Sequence, residues 1–132
     1  MSVTFTKDKD FENLFVVQVR DTFTYEDLKE VENKASAEIK QNQKIKLLIL
    51  AEKFSEWGKD GDWGDMTFMF ENDPYIEKIA VVAEDKWKEQ ISMFLGAGRR
   101  QASVEFFPAD GEEDARNWLR SNNQKEPYSL EI

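Results

Sequence analysis

The chain predicts an α/β fold, a single layer of mixed, mostly parallel sheet with four or five strands. Two runs, residues 45–51 and 79–83, are almost continuously apolar, as strands are when both faces of a sheet are covered. Stretches with apolar residues at helical spacing separate the strand-like runs, and that alternation builds parallel strands through right-handed crossovers. No helical pattern lies between the first two strand-like segments. They are expected to pair as an antiparallel hairpin, which makes the sheet mixed.

Taken in order, Val3 and Phe5 alternate with polar residues as in a short strand. Lys7-Asp8-Lys9-Asp10 is a charged turn, and Leu14-Phe15-Val16-Val17-Gln18-Val19 is rich in strand formers. Thr24 opens the first helix, with Asp27 three residues on as a shorter form of the capping-box acid. Tyr25, Leu28, Val31, Ala35 and Ile39 then make one narrow apolar stripe. After the 45–51 and 79–83 strands, a helix is expected over about 85–95. Its Trp87, Ile91, Phe94 and Leu95 share a face, and Gly96 stops it. Val104-Glu105-Phe106-Phe107 is the last short strand. Asp110 and Glu113 are expected to cap the final helix, whose Ala115, Trp118 and Leu119 point inward. No linker, repeat or low-complexity run divides the chain. Residues 1–120 read as one domain and 121–132 as a polar tail, alternating at its end through Tyr128, Leu130 and Ile132.

Composition narrows the function classes. The length of 132 residues suits one domain, and 40% hydrophobic content supplies a core. A formal charge of −9 argues against nucleic acid as a partner, because phosphate binding needs a basic footprint. It also disfavours simple adsorption to an anionic membrane. With no cysteine there are no disulfides or thiolate metal sites, which fits the cytoplasm. The first residues lack the pattern of a signal peptide, and no apolar run approaches the ~20 residues that span a bilayer. A soluble, cytoplasmic domain is expected, with room for peripheral membrane contact. Histidine is absent as well as cysteine, so the usual base, nucleophile and zinc-ligand types are missing. A non-enzymatic protein without cofactor or metal is the expectation.

The segment 54–70 holds the densest functional signal. It packs five large aromatics, three glycines and a cluster of acids between two buried strands. Loops at strand ends of α/β sheets are where ligands dock, and exposed aromatic surface usually has a partner. Read as a helix over 62–71, Trp63, Met66 and Phe70 fall on one stripe, with Phe68 nearly opposite and Met69 on the flank. A strand reading instead groups Met66, Phe68 and Phe70. The helix is favoured, because Asp62 can cap it and Asp73-Pro74 can end its neighbourhood. Packing explains the stripe but leaves Phe68 over. Phe54, Trp57, Trp63, Met66, Phe68 and Met69 are therefore the candidate surface for a ligand, membrane or partner, with Gly58, Gly61 and Gly64 as hinges.

Two further patterns carry less. Starting a calcium loop at Asp60 puts Asp62 and Glu71 at ligand positions, but Gly64 and Asp65 fall where a ligand and the turn glycine belong. No metal is expected. Gly96-Ala97-Gly98-Arg99-Arg100 joins a helix to a strand, the reverse of the dinucleotide-binding order. Arg99 and Arg100 remain candidates for gripping a carboxylate or phosphate.

Several landmarks recur in a known order: Thr24-Tyr25-Glu26-Asp27, Ile45-Lys46-Leu47-Leu48-Ile49, Phe54 with Trp57-Gly58, and Trp63. Glu77-Lys78-Ile79-Ala80-Val81-Val82, Lys86-Trp87, Phe106-Phe107 and Ala115-Arg116-Asn117-Trp118-Leu119 complete it. Together, over roughly residues 10–120, they resemble the SpoIIAA-like family, small bacterial proteins related to the STAS domains of anti-sigma-factor antagonists and anion transporters. The resemblance implies a mixed sheet with helices packed mainly on one side. It implies no established activity, although membrane association and apolar-ligand binding have been suggested for the group. Anti-sigma-factor antagonists carry an Asp-Ser-Ser-Gly-type motif whose serine is phosphorylated. Here Ser55 lies in the matching neighbourhood without the motif, between Glu52 and Glu56, where a phosphate meets like charge. It is a phosphorylation candidate by position alone.

The leading expectation is a binding module that takes lipid, another apolar small molecule or a membrane surface through 54–70. The alternative is a regulatory, protein-interaction domain that uses the same surface on a partner or on a second copy of itself. Net acidity favours a neutral ligand or a protein over an anionic bilayer.

Overall fold

A computed structural model describes residues 3–9, 11, 13–42, 44–58, 71–95 and 102–121. Five strands form one sheet in the order β1 (Val3–Lys7), β2 (Leu14–Phe23), β3 (Ile45–Trp57), β4 (Ile76–Val82) and β5 (Ser103–Phe107). β1 and β2 pair antiparallel, and every later pair is parallel. Three helices are described in full: α1 (Tyr25–Asn42), α2 (Lys88–Leu95) and α3 (Glu112–Arg120).

A sheet laid down in strict chain order needs each crossover on the same face, because right-handed crossovers repeat in one direction. The two faces show this. On one, Phe15, Val17, Leu47, Ile79 and Val81 pack with Ala35 and Ile39 of α1 and Ile91 of α2. On the other, Leu14, Val16, Leu48, Leu50, Ala80, Val82 and Phe107 receive Ala115, Trp118 and Leu119 of α3. Among the described residues two helices thus lie on one face, and α3, which follows the last strand, lies on the other.

Local chemistry sets the helix ends. Thr24 and Asp27 cap α1 reciprocally: the Thr24 backbone N–H donates to Asp27 Oδ2 at 3.0 Å and the Asp27 N–H donates to Thr24 Oγ1 at 3.1 Å. The helix expected over 85–95 is a 3-10 turn at Asp85–Trp87 that runs into α2. The final helix departs from expectation at its start. Gly111, not Asp110, is its N-cap, without a side-chain cap bond. The Gly111 N–H donates to Pro108 O at 2.8 Å, and this tight turn moves the helix start one residue on. Glu112, Glu113 and Asp114 then lie in the first turn, where the helix dipole favours acids. Arg116 ties α3 to the hairpin through Asp8 Oδ1 at 2.7 Å.

β3 is longer than the apolar run that announces it, reaching Trp57 instead of stopping near Ala51. β4 accompanies it only to Leu50, whereas β2 stays paired out to Phe23 opposite Trp57. The sheet therefore projects a two-stranded arm at its C-terminal end. Of the 121–132 tail only Ser121 lies within the described residues.

Candidate functional site

The arm carries an aromatic cluster. Phe54 lies edge-on to Trp57, with centroids 5.0 Å apart, and to Trp87 at 4.7 Å. Phe23 meets Trp57 edge-on at 6.1 Å. These tilted contacts suit rings whose edges and faces carry opposite partial charge. The residues come from β2, β3 and the turn before α2, so strand pairing and that turn bring together positions far apart in sequence. Phe54 is only 5% exposed and forms the floor. Trp57 and Trp87 are half-buried around it.

Strand irregularity aims this end of the sheet. The β2–β3 register shifts twice, between Gln18 and Arg20 and between Asp21 and Thr22. Asp21 lies between them with φ 54°, in the left-handed region. Bulges re-aim side chains at sheet rims. Past these shifts Thr22 Oγ1 donates to Glu56 Oε2 at 3.0 Å, and the Gly58 N–H donates to Phe23 O at 2.8 Å.

The two indoles differ in how their N–H groups are satisfied. Trp57 Nε1 donates to Gln90 Oε1 on α2 at 2.9 Å. Trp87 Nε1 is buried from solvent and has no hydrogen-bond partner among the described residues. Lys86 Nζ stands 5.5 Å from the Trp87 ring centroid and pairs loosely with Glu84 Oε1 at 3.7 Å.

Of the candidate surface, Phe54 and Trp57 fall in this cluster, and Phe54 contributes as floor, not as exposed surface. Ser55 is solvent-exposed on β3. Trp63, Met66, Phe68 and Met69 lie outside the described residues, as do Arg99, Arg100, Gly61 and Gly64. Gly58 is held by space: a Cβ there would sit 3.0 Å from Thr24 Cα. Sequence reasoning did not bring Phe23 or Gln90 to this site, and it placed Trp87 on the shared apolar face of the 85–95 helix and among the family landmarks, not at this cluster. Their convergence depends on strand order, which no local pattern states.

Sequence reasoning also passed over a buried cationic pair on the opposite face. Lys46 and Lys78 are register partners on β3 and β4, with exposures of 7% and 1%. Both reach the C-terminal end of α3. Lys46 Nζ donates to Leu119 O at 2.6 Å. Lys78 Nζ donates to Trp118 O at 2.7 Å, Ser121 O at 3.0 Å and Ser121 Oγ at 2.9 Å. Burial lowers both pKa values, that of Lys78 to about 8, with Lys46 pushing further down and Glu77 opposing. Helix C-termini attract cations because their last carbonyls lack intrahelical donors. This pair is a structural clamp under α3. Its sequence signal is a lysine within or beside each of the two apolar runs, Lys46 in 45–51 and Lys78 just before 79–83.

At the other end of the sheet an open groove of about 670 Å³ is lined by residues including Ile39, Lys40, Lys44 and Tyr75. Among the described residues no cluster of three or more acidic, histidine or cysteine side chains is placed to hold a metal ion. Among them, too, no helix is long and apolar enough to cross a membrane.

This topology and its landmarks match a known family model over residues 14–120, described as SpoIIAA-like. The chain belongs to the SpoIIAA-like family. A crystal structure of an uncharacterised protein with a SpoIIAA-like fold from Shewanella loihica PV-4 superposes with a TM-score of 0.66. That alignment covers 89% of this chain and 91% of the other at 14% identity, so the likeness is one of fold. No curated protein matches the sequence. Within the SpoIIAA-like domain, the match spans β2 to α3 and therefore includes both the aromatic arm and the lysine clamp.

Proposed function

We propose that this SpoIIAA-like domain is a non-enzymatic binding module that receives an apolar or amphipathic ligand at the aromatic arm. The observation that supports this reading is the convergence of Phe23, Phe54, Trp57 and Trp87 at the C-terminal end of a mostly parallel sheet. Ligands of open α/β sheets bind outside the carboxyl ends of the strands, and pockets for small molecules are mostly apolar with a few placed polar groups. Trp57 offers an amphipathic ring that suits a lipid or headgroup boundary. The acidic balance favours a neutral surface over an anionic one. Candidate residues 63–69 extend the same sequence segment, and Arg99 and Arg100 are assigned to an anionic headgroup if the ligand carries one.

Mass spectrometry of solvent extracts, with vesicle co-sedimentation, tests the reading. Lipid should accompany the purified protein or neutral phosphatidylcholine vesicles should retain it, and Trp57→Ala should weaken either by tenfold or more. Clean extracts together with no retention on neutral or anionic vesicles would overturn it.

A protein partner is the second reading. It is favoured by Met93, which is 69% exposed on α2, the same helix that supplies Gln90. Sedimentation velocity at increasing concentration tests self-association, and Met93→Glu should shift it.

A further inference from the structure

The aromatic cluster contains one polar atom whose chemistry is left incomplete. Trp87 Nε1 is shut off from solvent and finds no acceptor among the described residues. Such a donor costs free energy if left unpaired, since buried indole N–H groups are almost always paired. Its neighbour shows the contrast, because Trp57 Nε1 is satisfied by Gln90. The ring itself packs edge-on to Phe54 at 4.7 Å. A positive charge stands nearby in Lys86, 5.5 Å from the ring centroid, with Glu84 only loosely paired to it.

We infer that Trp87 Nε1 is the polar anchor of the site, donating a hydrogen bond to an oxygen acceptor at one end of an otherwise apolar ligand. This rests on the binding reading above and specifies the ligand's chemistry: a hydrocarbon body that packs on Phe54 and Trp57, with a carboxylate or carbonyl oxygen at Trp87. An ammonium head has no lone pair to offer and leaves the N–H unpaired. A carboxylate gains most, since hydrogen bonds to charged acceptors are the stronger kind; Lys86, with its side chain 68% exposed, adds only a screened attraction. The shared feature is the acceptor oxygen, which a free fatty acid and an ester-linked acyl chain both possess.

The test uses four C12 probes below their micelle concentrations: dodecanoate, its methyl ester, dodecanol and dodecyltrimethylammonium. Binding is read by tryptophan fluorescence in the wild type and in Trp87→Phe. Dodecanoate should bind tighter than the trimethylammonium probe despite the protein's negative charge. Trp87→Phe should weaken dodecanoate about tenfold, the loss expected for one hydrogen bond to a charged acceptor, and leave the ammonium probe within twofold. A carboxylate preference over the methyl ester indicates a fatty-acid source, and equal affinity indicates an acyl chain in ester linkage.

A second measurement does not depend on the variant's packing. In the wild type labelled with 15N at the indole nitrogens, four tryptophans give four side-chain signals. That of Trp87 should move downfield with dodecanoate and stay in place with the ammonium probe. If dodecanoate binds while the Trp87 signal does not shift and Trp87→Phe binds it equally, the anchor is wrong and the apolar site stands. If no probe binds, both readings fall.

Discussion

Lys46 and Lys78 stand opposite one another on adjacent parallel strands and direct both ammonium groups at the last carbonyls of a single helix. Each also lies over an aromatic ring, Phe11 and Trp118 respectively, at 4.8 Å. Like charges on neighbouring strands repel. Here the carbonyl dipoles at the end of α3 and the ring faces compensate for that proximity. The clamp thereby fixes where α3 ends on the sheet and joins two core layers by polar bonds.

Replacing Lys78 by Met tests the clamp. The substitution retains much of the apolar stem but removes the ammonium bonds to Trp118 O and Ser121 O, while Trp118 O keeps the Ser121 N–H and Oγ–H as donors. Losing hydrogen bonds from a charged donor costs about 1.5–3 kcal/mol, and the lower midpoint should appear in urea unfolding. Amide exchange should rise across α3 more than across α1. A variant as stable as wild type, with α3 equally protected, sinks the clamp.

The clamp also gives a pH signature of definite sign. The Lys78 ammonium is held at about 8 when folded, below the ordinary 10.5, so between these values the unfolded chain binds more protons. Stability contributed by this site therefore rises as pH climbs through the 8–10.5 window and is lost as pH falls through 8. Lys46 is lowered for the same reason and adds in the same direction. The gap between wild type and Lys78→Met should change in the wild type's favour by on the order of 1–3 kcal/mol from pH 7.5 to 10.5. A gap that is flat with pH, or that closes against the wild type, contradicts this assignment.

The clamp marks the boundary of what sequence pattern can reveal. Apolar runs announce β3 and β4 because both sheet faces are covered, and the stripe through Leu28, Ala35 and Ile39 announces α1 because one face is buried. Ala115, Trp118 and Leu119 were legible as an inward face, but a stripe does not state which side of the sheet receives it. That choice places Lys46 and Lys78 inside. The arm was half legible. Its tryptophan and phenylalanine stand out in composition, whereas Glu52, Ser55 and Glu56 interrupt the run that would have shown β3 reaching Trp57. Phe23 and Gln90 are ordinary residues until strand order brings them to Trp57.

The reciprocal cap of α1 makes a separate prediction. Asp27 is 7% exposed and accepts the Thr24 N–H, while Thr24 Oγ1 accepts the Asp27 N–H. Asp27→Ala removes one bond and strands a donor at the helix start, at a cost of roughly 1–2 kcal/mol. Thr24→Ala also strands one donor, the Asp27 N–H, but should cost less, about 1 kcal/mol, because the acceptor it removes is a neutral hydroxyl and not a carboxyl oxygen near the helix N-terminus. Thermal unfolding of both variants checks the ranking, and equal midpoints for Asp27→Ala and wild type contradict it.

Asp21 gives a prediction of opposite sign. Its φ of 54° lies in the region that costs an L-residue about 1–2 kcal/mol, although aspartate tolerates it better than branched residues. Asp21→Gly should raise the unfolding midpoint slightly or leave it unchanged, because glycine relieves strain but frees the unfolded chain. Asp21→Val should lower it clearly. If valine is tolerated as well as glycine, the left-handed turn between the two register shifts is not a fixed feature of the arm.

Gly58 decides whether the end of the arm is a hinge or a close contact. Its N–H is bonded to Phe23 O at 2.8 Å, and a Cβ would lie 3.0 Å from Thr24 Cα and 3.3 Å from Phe23 O. Both neighbours are backbone, and Thr24 is itself fixed by the α1 cap. Alanine must therefore push β3 off β2 or displace the cap, and overpacking of this kind costs about 1–3 kcal/mol. A hinge predicts the reverse, since alanine in a free segment stabilises by restricting the unfolded chain. Equilibrium denaturation of Gly58→Ala separates the two. A lower midpoint, with altered tryptophan emission from Trp57 next door, supports the contact, and an unchanged or higher midpoint supports the hinge.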